Sequence, residues 1–166
     1  MKKCLFLILL FIFITNCNKN KTVNKVEHKI TAEKINFQKY NFNTTSKIKE
    51  KIVLTQGVTY VLDFWYLECP PCVKDHFLIK KSIASLDKEN VKVIGISIDR
   101  NTNNWIEYLL EHNYNWQNYN QFKGDFNLKE DLGIKLFPIY IVVNDKGKIQ
   151  EKFHSFKYVL KYLSKI

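Results

Sequence analysis

At 166 residues the chain suits one domain plus short extras, long enough to bury a core without disulfide staples. Hydrophobic residues at 46% and aromatics at 14% exclude a largely disordered chain. The formal charge of +10 is nearly all lysine, spread along the sequence, with Arg100 the single arginine; no groove-reading motif accompanies it, so nucleic acid is not an expected partner.

Taken in chain order, Lys2 and Lys3 form a basic start, and Leu5 to Ile14 is an almost unbroken apolar run. That run is shorter than the roughly 20 apolar residues a spanning helix needs, and it has the length of a signal-peptide core. Ile14-Thr15-Asn16-Cys17 follows and resembles a bacterial lipoprotein signal, with Asn16 where a small residue is usual. The expectation is a signal peptide over 1–16, lipid on Cys17, and an extracytoplasmic protein anchored to a membrane. Residues 17–34 are polar and lysine-rich and read as a flexible tether, with His28 solvated. The folded domain is expected over 35–166.

Within that domain, Ile35 to Thr45 alternates apolar and polar residues, as an edge strand does, and Ile52-Val53-Leu54 reads as another short strand. Val58 to Trp65 is β-branched and aromatic, the composition of a buried strand. Cys69-Pro70-Pro71-Cys72 comes next. A helix over about Val73 to Lys88 would turn Phe77, Ile79, Ile83 and Leu86 inward, leaving His76 at its surface or the core edge. Val91 to Ile98 reads as a second buried strand. Asn101 to Asn113 reads as a helix capped by Asn101 or Thr102, with Trp105, Ile106, Leu109 and Leu110 inward and His112 near its surface. Tyr114 to Gly124 has no clear period. A short helix over Asp125 to Leu132 stops at Gly133. Pro138 precedes a strand over Ile139 to Val143. An Asn144-to-Gly147 turn and a hairpin partner over Lys148 to Phe153 follow, then a helix over about Ser155 to Ser164, apolar at Phe156, Val159, Leu160 and Leu163. This order implies an α/β fold: a central mixed β-sheet with helices on both faces.

The cysteines carry the chemistry. Cys4 and Cys17 lie in the leader; Cys69 and Cys72 are the only pair in the body. Two intervening residues in the first turn of a helix put both side chains on one face, close enough to bridge. Proline is tolerated there because the first amides have no intrahelical partner. Free N–H groups and the helix dipole favour a thiolate at Cys69, which makes it the nucleophile and Cys72 the resolving thiol; the Glu68 carboxylate works against that thiolate.

The segment YVLDFWYLECPPCVKDH resembles the active-site stretch of thioredoxin-fold proteins, in particular the membrane-tethered TlpA/ResA-like branch of the redoxins. VKVIGISID and LGIKLFPIYIVVNDKGKI are similar to that family's next core strand and its cis-proline segment. The resemblance implies a thioredoxin fold and a thiol–disulfide oxidoreductase without a cofactor. Such a protein is expected to act on protein dithiols and disulfides, as a reductant fed by a membrane electron donor, for example in cytochrome c maturation, with an oxidant or isomerase as the alternative direction. It further implies a cis peptide at Pro138, packed against the disulfide, and a buried acid at Asp63 that takes the proton of Cys72. Glu68 and Phe137 depart from the family pattern beside the reactive sulfur. The main rival is copper delivery on the same fold, through the two cysteines and a histidine such as His154. Zinc lacks four ligands. A peroxidase lacks its threonine ahead of Cys69.

Overall fold

The structure, a computed structural model, describes residues 33–166. The expected signal peptide, Cys17 and all but the end of the expected tether lie outside the described residues. Among the described residues no helix is long and apolar enough to cross a membrane.

Seven strands form one mixed sheet in the order β2-β1-β5-β4-β3-β6-β7. These are β1 (Phe42–Asn43), β2 (Lys49–Glu50), β3 (Thr59–Trp65), β4 (Val91–Ser97), β5 (Gln117–Asn120), β6 (Ile139–Val143) and β7 (Ile149–Phe153). β3, β4 and β5 run parallel; β6 lies antiparallel to β3, and β7 to β6. The helices are α1 (Pro70–Lys88), α2 (Thr102–Glu111), α3 (Leu128–Asp131) and α4 (Phe156–Leu163).

The expected α/β class and mixed sheet are what the chain forms, with the two faces unequally covered. The crossovers β3-α1-β4 and β4-α2-β5 step the same way across the sheet. Right-handed connections therefore put α1 and α2 on one face, where α4 joins them. The other face is closed by α3, a 3-10 turn at Phe37–Lys39 and the segment around Ile52. β3 is buried on both sides, as a central parallel strand must be. Tyr60, Leu62 and Phe64 enter the second layer, while Val61, Asp63 and Trp65 face the three helices.

Four local expectations are corrected. Ile52-Val53-Leu54 is not a strand: the edge pairing ends at Glu50, Ile52 plugs into the core, and Val53 is exposed. The Ile35-to-Thr45 stretch holds the 3-10 turn and only two paired residues. On α1 the inward stripe is Cys72, His76, Ile79 and Leu86, so Phe77 points out and His76 points in. On α2, Trp105 and Leu109 are buried and Leu110 is exposed. The unassigned Tyr114-to-Gly124 stretch contains β5, whose buried Asn120 is held by hydrogen bonds.

Candidate active site

The end of β3 and the start of α1 are joined by a tight turn, in which the Cys69 N–H donates to the Tyr66 carbonyl at 3.1 Å. Cys69 is the N-cap of α1, and Pro70 and Pro71 fill its first two positions. Neither proline has an N–H, so Cys72 supplies the first free amide of the helix; it donates to Cys69 Sγ at 3.4 Å. The two sulfurs are joined in a disulfide, S–S 2.04 Å, with the Cα atoms 5.3 Å apart. Cys72 is wholly buried and Cys69 retains 3% exposure, so the two sulfurs differ little in exposure in the disulfide form. Glu68 is exposed, where water screens its charge.

Antiparallel pairing of β6 with β3 sets Ile139 opposite Phe64, which brings the chain just before β6 to the cysteine end of the sheet. There the Phe137–Pro138 peptide is cis. The Phe137 ring meets Tyr66 edge-on, centroids 5.3 Å apart, tying this loop to the one that carries Cys69. His154 donates from Nδ1 to the Pro138 carbonyl at 2.8 Å.

This pairing of a helix-capping dithiol with a cis-proline loop accompanies a sequence match. Residues 57–149, more than half of the chain, fit the profile of the family described as Thioredoxin-like. The chain belongs to the thioredoxin-like family. It is 24% identical over 153 residues to the thiol:disulfide interchange protein DsbE of Haemophilus influenzae, a match covering 90% of this chain and 81% of that one. Its fold is similar to the thioredoxin domain of a thiol-disulfide oxidoreductase from Bacteroides vulgatus: TM-score 0.64, 22% identity, 75% of this chain and 92% of the other. It is also similar to StoA from Bacillus subtilis: TM-score 0.61, 19% identity, 75% and 95% covered.

In this thioredoxin-like domain Asp63 lies under the helix that carries the cysteines. It is fully buried, and its Oδ2 is 3.1 Å from Nε2 of His76, also fully buried. Burial holds the Asp63 carboxyl above its ordinary range; the contact with His76 pulls it partly back, and the charge of Asp75 pushes it up again. The His76 ring is enclosed by Trp65, Tyr114, Trp116 and Tyr108, with centroids 4.3, 5.3, 5.7 and 6.2 Å away. Gly95 pairs with Asp63 on β4 and lacks a Cβ for a reason: one placed there would fall 2.3 Å from Asn118 Oδ1.

Three contributors to the site lie outside the sequence-based expectations. Asp99, just past β4, accepts from the Leu67 N–H at 3.0 Å and from the Ser97 hydroxyl at 2.7 Å. Asn120 of β5 braces both ends of that bridge. Asp99 thereby fixes the turn that delivers Cys69, and burial raises its carboxyl above the ordinary range. Asp75 of α1 accepts from the Phe156 N–H at 2.8 Å and the Tyr140 hydroxyl at 3.2 Å, which caps α4 from a neighbouring helix. The third is His76. The signal for Asp99 was present in Ser97-Ile98-Asp99, a short polar pair closing a buried strand. A groove of about 310 Å³ beside this turn is lined by Tyr66, Leu67, Glu68, Arg100, Asn101 and Asn104. Among the described residues no three His, Cys, Asp or Glu side chains are grouped as a metal site.

Proposed function

We propose that the protein is a thiol–disulfide oxidoreductase that reduces disulfides of other proteins through Cys69 and Cys72. One observation carries this reading: Cys69 caps α1, receives the Cys72 N–H at its sulfur and is bridged to Cys72. In the dithiol form that N–H and the helix's positive end favour a thiolate at Cys69. The thiolate attacks a substrate disulfide, forms a mixed disulfide and expels one substrate sulfur. Cys72 then gives up its proton to Asp63 and attacks Cys69 Sγ. The bond from Cys69 to the substrate breaks, the second substrate sulfur leaves as a thiolate, and two electrons have passed to the substrate. Pro138 holds its loop against the cysteine turn, leaving nearby backbone to pair with the substrate chain.

The name of the Haemophilus relative, a thiol:disulfide interchange protein, supports this chemistry. The leader supports work outside the cytoplasm, with lipid on Cys17 as anchor and residues 17–34 as tether. A membrane dithiol donor restores the reduced pair, and cytochrome c maturation is the setting the resemblance suggests. In an insulin-disulfide reduction assay, Cys69→Ser abolishes turnover, and Cys72→Ser stalls as a mixed disulfide visible on a non-reducing gel. Normal turnover in both variants overturns the mechanism.

A further inference from the structure

The inward stripe of α1 reads Cys72, His76, Ile79, Leu86. A hydrophobic side chain at position 76 would fill the same space without desolvating an imidazole, so the histidine needs a reason. Its Nε2 touches Asp63 Oδ2, and among the described residues no other hydrogen bond reaches the Asp63 carboxyl; Asp63 Oδ1 and His76 Nδ1 have no partner there. Four aromatic rings fix the imidazole's orientation and exclude water from it. His76 also lies one helical turn beyond Cys72, on the same buried face.

Resting on the thiol–disulfide reading above, we propose that His76 is a positioning residue that keeps Asp63 able to accept the Cys72 proton. With Asp63 ionised, the Nε2–H donates to Oδ2 and answers a charge that the site otherwise leaves bare. Without that donor nothing offsets the burial that raises the carboxyl, so it holds its own proton more tightly and is a poorer acceptor for another. In the resolving step the proton leaves Cys72 Sγ and passes to the Asp63–His76 pair. The new sulfur bond joins Cys72 to Cys69, and the substrate sulfur departs with the electron pair of the broken bond.

Other groups meet this pair from each packed element: Asp75 on α1, Tyr108 on α2, Tyr114 after it, and Tyr140 on β6. Behind them, Lys80 lies over the Tyr114 ring, and Glu111 and His112 lie beside Tyr108. The three tyrosines are raised above their ordinary value by burial and stay neutral through the assay range. Lys80 is committed to the His112 carbonyl at 2.6 Å, and Asp75 to α4 and Tyr140.

The test follows the resolving step on the full chain, as release of glutathione from the Cys69–glutathione mixed disulfide formed with oxidised glutathione. The rate is measured between about pH 6 and pH 9. His76→Leu, which removes the donor, is expected to slow resolution about tenfold at neutral pH and to move the profile's midpoint upward by roughly one unit. An upward shift of about half a unit or more supports the proposal; a smaller shift, or a downward one, overturns it. If His76→Leu fails to fold, the unaltered protein decides. The ring-nitrogen resonances of His76 then show Nε2 carrying its proton at neutral pH, and an Nε2 without a proton overturns the proposal. An unaltered protein inert toward oxidised glutathione defeats the thiol–disulfide reading itself; an active one with an unmoved His76→Leu profile defeats only the role of His76.

Discussion

A carboxylate placed under a helix, away from water, costs folding energy unless a donor answers its charge. Asp63 is such a group, and burial outweighs the help of His76, since its carboxyl stays above the ordinary value of 3.8. The sign follows: the folded state binds this proton more tightly than the unfolded chain does. Its contribution is complete below 3.8 and is lost as pH rises through the folded value. Asp63→Asn is therefore expected to melt at a higher temperature than the unaltered protein at alkaline pH. The gap should close as the pH falls toward 3.8, read by thermal unfolding of the disulfide form. Removing the other partner acts the opposite way. His76→Ala leaves the acid without its hydrogen-bond partner in a dry site and lowers unfolding free energy by about 1–3 kcal/mol in denaturant titration. The burial of Asp63 was legible because it stands six positions before Cys69 in a familiar segment. His76 was not, because histidine on a helix is more often at a surface, and only the fold shows that position 76 meets Asp63.

At the scale of elements, the reactive turn is held by polar bridges that no hydrophobic period announces. Ser97, Asp99 and Asn120 join the ends of β4 and β5 to Leu67. Asp99→Ala removes the acceptor for a backbone amide and is expected to cost about 1–3 kcal/mol of stability and to slow insulin reduction. Asp99→Asn, which keeps an acceptor for Leu67, recovers most of both. The strong elements were readable, since β6 is a continuous apolar run, β3 and β4 are mostly apolar despite Asp63 and Lys92, and α1 begins at two prolines. β5 was not, because Gln117, Asn118 and Asn120 carry the polarity of a loop while pairing with β4. Phe77 misled the α1 reading because its bulk suggested core, whereas the stripe through Cys72 and Ile79 runs through position 76.

For the whole molecule, the sheet order decides what meets what. Placing β6 beside β3 in the opposite direction brings residue 138 to the cysteines, some seventy positions away in sequence, so neither loop alone makes the site. That juxtaposition was open to the sequence only through resemblance to a family, since spacing does not fix strand order. The proposed anchor belongs to this scale too. Cys17→Ser is expected to move the protein from the membrane fraction to the soluble fraction after cell lysis; an unchanged distribution means that Cys17 does not hold the anchor. Alkylation and peptide mass mapping of the full chain test the central claim most directly. Reduced protein treated with oxidised glutathione should yield one peptide in which Cys69 and Cys72 are joined to each other, and dithiothreitol should return both thiols to alkylation. Recovery of Cys69 and Cys72 alkylated separately after the oxidant, with no link between them, would contradict the account.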